Sequence, residues 1–415
     1  MTILTFFAAV SVILFLTRTE WSIRPRTLLQ LYILFSIVYY GHRWIVQWPP
    51  PEATLYDQGA PGWVRIIRAF SFVALVALMA WRAKFRYSPL LWYALPIVLW
   101  FSLCGTLKIF TEDPSDTLLY YWRYPLECIP LAFIDFEEDI EGLVRFGVGC
   151  CWVVIAFLGV EILADRPSGF ILGGLYTRFS STFASPNDLG VFCGLALLGL
   201  LVFRHQAGKA TRMLLIPVLT GSLILSGSRS AILGFTAGLI SIWPRSKKWL
   251  MVVVLLGLTL YASLLAFFED TQFVDDLVSR LGDESAMQRI QEFSQAKNEI
   301  YAWHPGNLLF GSWPHIHQEN FYLAILLRAG LVGAAVFLLF CIMTVVKAKH
   351  PFLRAGLVSI LVGAAFVPHF DVFPNNLYFW LMAGTVWRLA AHLPQALRFR
   401  TTPIPSRQVQ TDPGL

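Results

Sequence analysis

Three short stretches of this chain set side chains where they could do chemistry. The run WPHIHQENFYLAILLRAGLVG (313–333) places His315, His317, Glu319 and Asn320 directly against a segment apolar enough to sit in lipid. Imidazole is the side chain best suited to take a proton from a hydroxyl near neutral pH, and a neighbouring carboxylate or amide can orient it or raise its basicity. The same residue types also make an ordinary polar cap at a helix start. Arg178 in TRFSSTFASPN and Arg229 in SGSRSA are each set among small hydroxyl and glycine residues, Ser228 among them. A guanidinium is permanently charged and binds phosphate oxygens through a bidentate fork, so this pair suits a polyanion such as a diphosphate. The plainer alternative is an arginine at a helix end reaching for lipid headgroups. In SPND (185–188), Ser185 as a cap with Pro186 and Asn187 behind it can aim free amides at an anion, or can simply start a helix. Arg289 stands beside Met287, Ile290 and Phe293 and reads either as a third anion ligand or as a solvated charge. No plausible Ser-His-Asp set, HExxH motif or Cys/His metal cluster is present in the sequence, which argues against a serine or metal hydrolase and predicts no metal and no cofactor.

The elements that must hold these residues are membrane helices. Of the 415 residues 56% are hydrophobic, 15% aromatic and only 14% charged, with a mean hydropathy of +0.61. That composition predicts an all-α, polytopic integral membrane protein. Candidate spans of near-bilayer length are 1–17, 27–47, 63–81, 89–109, 118–134, 143–163, 187–203, 213–227, 229–243, 249–268, 319–346, 352–370 and 377–393. The expectation is about twelve transmembrane helices in a single multi-span domain over 1–400. An external loop, 269–316, carries an amphipathic helix, and a disordered cytoplasmic tail occupies 401–415.

Basic clusters orient the spans. Arg204/Lys209/Arg212, Arg245/Lys247/Lys248 and Lys347/Lys349/Arg354 are assigned to the cytoplasm, so 164–186, the turn at 226–230 and the loop 269–316 share the outer face. Arg178, Arg229, Arg289 and the two histidines then converge on one side. The formal charge of +6 is distributed as topology signals and implies no nucleic-acid partner. The six cysteines, all in apolar context, read as small core residues. Arg123 and Arg328 fall inside spans, where charges must pair or face a cavity.

The order TRFSSTFASPNDLG, ILSGSRSAILGF, a long external loop with an arginine, then LLFGSWPHIHQENFYLAILLRAGLVG resembles the O-antigen ligase and polysaccharide polymerase superfamily of bacterial inner membranes. The resemblance covers roughly 65–390, with its specific motifs between 175 and 335. It implies metal-independent, inverting-type glycosyl transfer at the periplasmic face, from a glycan carried on undecaprenyl diphosphate to a glycan or lipid A-core acceptor. Membrane lipids, and a chain-length regulator, would be its other partners. By motif, Arg178, Arg229 and Arg289 would hold the diphosphate and His317 would be the base, with His315, Glu319, Asn320, Asn187 and Ser228 in support. The chain departs from the family pattern at Ser181, where glycine is common in R-x-x-G-T-F, and at HQEN, which leaves His315 and His317 both open as the base. Polymerase is the leading expectation, ligase the nearest rival, and a small-anion transporter the third.

Overall fold

The computed structural model describes residues 89–108, 121, 140–163, 179–183, 185–242, 294–312, 320–366 and 375–399. Long apolar runs punctuated by proline, glycine and serine become helices here, and no strand occurs among the described residues. In chain order they are α1 (Pro89–Lys108), α2 (Ile140–Leu163), α3 (Pro186–Val202), α4 (Lys209–Leu225), α5 (Arg229–Ile242), α6 (Pro305–Phe310), α7 (Phe321–Lys347), α8 (Pro351–Ala364) and α9 (Asn375–Phe399). Residues 294–301 are helical as well. The expected spans at 1–17, 27–47, 63–81 and 249–268, nearly all of 118–134, and the tail 401–415 lie outside the described residues.

Two of these helices, Val144–Leu163 and Phe321–Lys347, are long and apolar enough to cross a membrane, while Trp92–Lys108, α3, α5 and α8 are shorter apolar helices. The expected hairpin over 213–243 is present as α4 and α5 joined through Ser226, Gly227 and Ser228. Its two arms pack on α3 more than on each other, and α5 also lies along α8.

The α5–α8 contact has a readable cause. GFTAG in α5 puts Gly234 and Gly238 one turn apart, and AGLVS in α8 does the same with Ala355 and Ser359. A Cβ on Gly234 would run into the Ser359 carbonyl, and one on Gly238 would lie 2.6 Å from the Ala355 carbonyl. Small residues spaced by four let two backbones approach until dispersion between them replaces side-chain packing, as in associating membrane helices. Because Gly234 meets Ser359 and Gly238 meets Ala355, the two helices run antiparallel.

The aromatic core lies between α1, α7 and α9. Phe337, Phe340, Phe379 and Trp380 pack ring on ring. Tyr93 stacks on Trp387 at 3.7 Å, and the Trp387 indole donates to Thr344 Oγ1 at 3.1 Å. The opposite face of α7 is turned outward and is apolar: Leu331, Leu338, Leu339, Ile342 and Val346 follow a helical stripe, with Val346 75% exposed. A stripe of that kind is the reverse of a water-facing helix surface. Cys104, Cys150, Cys151, Cys193 and Cys341 are buried free thiols, as their apolar context suggested; Cys128 lies outside the described residues.

α7 is not the straight span its sequence suggests. Gly330 has φ 67° and ψ −173°, conformations outside the helix. In an unbroken helix residues 321 and 337 would stand about 24 Å apart along the axis, yet their rings meet edge to face with centroids 5.4 Å apart. The break therefore folds the leg 321–329 back toward the leg 331–347. It frees carbonyls that must find donors in an apolar surrounding. The Arg328 carbonyl accepts from Tyr121 OH at 3.0 Å, and the Ala329 carbonyl accepts from Trp100 Nε1 at 2.9 Å. Only glycine suits position 330, since a Cβ there would strike the Leu309 carbonyl and lie 2.8 Å from the Gly311 amide nitrogen.

Candidate functional site where four helices begin

A set of buried polar residues, among them Glu161, Ser180, Asp188, Ser226, Ser228 and Asn375, gathers at one end of the assembly. α2 arrives there with Glu161 in its last turn, the end of a helix where the backbone dipole disfavours an acid. Glu161 is fully buried. Its carboxylate accepts the amide of Ser180 at 3.2 Å and the amide of Ser181 at 2.6 Å, which supplies the compensation the helix end does not. Ser181 sits at φ 53°, in the left-handed region, and its hydroxyl donates to the Val154 carbonyl at 2.7 Å. The Phe183 amide closes the turn on the Ser180 carbonyl at 3.0 Å. Position 181 has the backbone that glycine adopts most readily, and serine is held in it by a carboxylate and a carbonyl.

The chain then enters α3. Ser185 is its N-cap and Pro186 its first residue. The Asp188 amide donates to Ser185 Oγ at 3.3 Å, and Ser185 Oγ donates to Asp188 Oδ2 at 2.9 Å. Asp188 Oδ1 accepts from Asn375 Nδ2, at the start of α9, at 2.7 Å. Thus SPND is a true helix start whose acid is buried and joined to a residue far along the chain. Asn187, half-buried, occupies the position between Pro186 and Asp188.

One turn into α3, Gly190 brings the helix against the hairpin turn. A Cβ there would lie 2.8–2.9 Å from Ala231, Ser226 and Ser228 side-chain atoms. Ser228 is the cap of α5: its Oγ accepts the Ala231 amide at 3.3 Å and shares a hydrogen bond with Ser230 Oγ at 3.1 Å. Ser226 Oγ in turn accepts the Ser228 amide at 3.3 Å and donates to the Leu223 carbonyl at 2.7 Å. With the three serines buried and bonded to each other or to backbone, Arg229 is carried outward as the first residue of α5 and is exposed.

α7 begins at the same end. Its N-cap Asn320 accepts the Leu323 amide at 3.0 Å, and Tyr322 OH donates to the Leu361 carbonyl near the end of α8 at 2.7 Å. Since α8 runs antiparallel to α5, the end of α8 lies beside Arg229's end of α5. Four helices, α3, α5, α7 and α9, therefore start together. The aligned backbone dipoles of four helix starts are positive at this end, although caps take up the Asp188, Ala231 and Leu323 amides. The described part of the long loop is tied inward too: the Trp303 indole donates to Ser312 Oγ at 2.8 Å, Ser312 Oγ donates to Glu299 Oε1 at 2.7 Å, and Phe310 stacks on Trp100.

The structure so brings Arg229, Ser228, Asn187 and Asn320 to one end of the assembly. Arg178, Arg289, His315, His317 and Glu319 lie outside the described residues. Glu161 and Asn375 were missed by sequence reasoning. An acid inside the run 143–163 was the available signal for Glu161, whereas nothing local marked Asn375. Arg328, half-buried, falls two residues before the break in α7. No protein-family model matches this chain, and no curated protein matches it.

Proposed function

We propose that this chain is a multi-pass membrane glycosyltransferase that polymerises lipid-linked repeat units of a surface polysaccharide. Its donor is a glycan on undecaprenyl diphosphate, used at the outer face of a bacterial cytoplasmic membrane. The observation that carries the reading is the meeting of four helix starts and the exposed Arg229 at one end. Helix N-termini and guanidinium are the groups that hold phosphate oxygens. Chain connectivity adds weight: three residues span at most about 11 Å, so the reach from capped Asn320 to His317 is short, as is that from pinned Ser180 to Arg178. The outward apolar stripe of α7 and the small-residue contact of α5 with α8 support a lipid surrounding.

In this reaction His317 takes the proton of an acceptor hydroxyl, and the resulting oxygen forms the new bond at the anomeric carbon. The bond from that carbon to the diphosphate breaks on the opposite side, and undecaprenyl diphosphate leaves with the electron pair. Arg178, Arg229 and Arg289 offset the charge that grows on the leaving oxygens. A ligase that moves finished glycan to lipid A-core shares every one of these steps.

The test is glycan gels and lipid extraction from a deletion strain complemented with wild type or with His317→Ala. Single repeat units accumulating on undecaprenyl diphosphate, unrescued by His317→Ala, are the expected result. Long lipid-linked chains left unattached identify a ligase. One observation favours a different class: transporters hold ligands at broken helices within the membrane, and α7 is broken next to Arg328. Unchanged glycans in every strain, with anion uptake by proteoliposomes that Arg328→Ala abolishes, would overturn the enzyme in favour of that reading.

A further inference from the structure

We infer that the end of the molecule opposite Arg229 carries a binding site for an anionic phospholipid, built where the turn between α3 and α4 meets the turn between α7 and α8. The inference needs a membrane surrounding and is independent of the proposed reaction. Far apart in sequence, the two turns are joined by rings. Phe203 stacks on His350 with centroids 5.4 Å apart and meets Phe352 at 5.4 Å, and a Cβ on Gly199 would lie 3.4 Å from the Phe352 ring. Arg204, Lys209 and Arg212 come to this contact from the first turn, and Lys347, Lys349 and Arg354 from the second, while no Asp or Glu occurs in 203–214 or 346–355. Five of these cations are exposed; Arg212 is half-buried, its Nε donating to the Gly208 carbonyl at 3.3 Å. Arg204 Nε donates to the His205 ring at 3.2 Å. α3 and α7 end here while α4 and α8 begin, so the backbone dipoles offset one another and the side chains set the sign. Exposed apolar residues run up to these cations: Leu339, Ile342 and Val346 lead along α7 to Lys347, and Met213 and Leu214 follow Arg212 in α4. A phosphodiester headgroup on the cations, with acyl chains along those apolar residues, satisfies both surfaces at once. A soluble anion would neutralise the charge and leave the apolar residues uncovered. By offsetting the repulsion among like charges, the lipid also clamps one turn to the other.

The experiment uses the full chain purified in a neutral detergent and follows Tm and lipid retention, the latter by native mass spectrometry, as phosphatidylglycerol or phosphatidylcholine is added. Wild type is compared with Arg204→Gln/Lys209→Gln/Arg212→Gln and with Lys347→Gln/Lys349→Gln/Arg354→Gln. Expected is a rise in Tm and retention with phosphatidylglycerol, and neither with phosphatidylcholine. Because both turns hold one lipid, each triple variant should bind phosphatidylglycerol roughly 100-fold more weakly, from about 5-fold per charge removed. Equal effects of the two lipids on wild type, or unchanged phosphatidylglycerol affinity in either triple variant, overturns the site. A Tm rise of the same size with inorganic phosphate or polyglutamate assigns the surface to a soluble anion and overturns the lipid. If a triple variant does not fold, wild type alone decides: its phosphatidylglycerol affinity must fall as salt is raised, and a salt-independent affinity overturns the inference.

Discussion

Arg229 and Ser228 stand side by side at the start of α5 and do different work. Ser228 is buried and closes the first turn on the Ala231 amide, while Arg229 is exposed toward the end where the helices begin. Removing the cap should therefore lower stability and leave ligand binding alone: Ser228→Ala is expected to cost about 1 kcal/mol, read as a lower Tm in detergent with unchanged diphosphate affinity. Arg229→Ala should do the reverse, weakening diphosphate binding about 10-fold with little change in Tm, and Arg229→Lys should recover only part of it because an ammonium lacks the fork. A third residue sets a pH dependence. His350 caps α8, stacks on Phe203 with centroids 5.4 Å apart, and burial pushes its pKa below the usual 6.5. The folded chain thus holds this imidazole neutral where the unfolded chain would bind a proton. Stability is complete above about pH 6.5 and falls as pH drops below that value, until the depressed folded pKa is passed. Thermal melts in detergent between pH 5 and 8 should show that loss, and His350→Gln should remove His350's share of it.

At the scale of elements, two devices set where the site's helices begin. The contact of Gly234 and Gly238 with the α8 backbone leaves no room for side chains, and it fixes Arg229's end of α5 beside the end of α8. Gly234→Leu must push the helices apart, so the protein should lose its monodisperse elution, whereas the same change at Gly221, which has nothing within 4 Å of a Cβ, should be tolerated. The break in α7 is the second device. Gly330→Ala would place a Cβ at a positive φ, which costs roughly 1–2 kcal/mol, and would also drive it into the Leu309 carbonyl. The expected result is a large fall in Tm together with loss of activity, because the leg that starts at Asn320 is held by that fold. Normal activity in Gly330→Ala would show that the bend is not needed for the chemistry.

At the scale of the whole molecule, the arrangement makes a claim about sides. Arg229 and Lys349 lie at opposite ends of the antiparallel α5–α8 pair, and both are exposed. In a cysteine-free background, a membrane-impermeant thiol reagent applied to intact cells is expected to label Arg229→Cys and spare Lys349→Cys until the membrane is opened; the opposite pattern would reverse the proposed orientation. Much of this plan was legible from residue order alone. Apolar runs set the helices at 89–108, 140–163 and 186–202, since backbone pairing inside a helix needs no partner elsewhere. Ser185 and Pro186 marked a helix start because a cap is satisfied within one turn. Tertiary structure decided the rest. A glycine inside a run of membrane length reads as continuing helix, so the fold at Gly330 emerged only from the tyrosine, the tryptophan and the 309–311 backbone that receive it. The pairing of Asp188 with Asn375, 187 residues away, and of Glu161 with the turn at Ser180 likewise depends on which elements pack together. Residue types state what a buried polar group requires, and only the assembled helices determine which distant group meets that requirement.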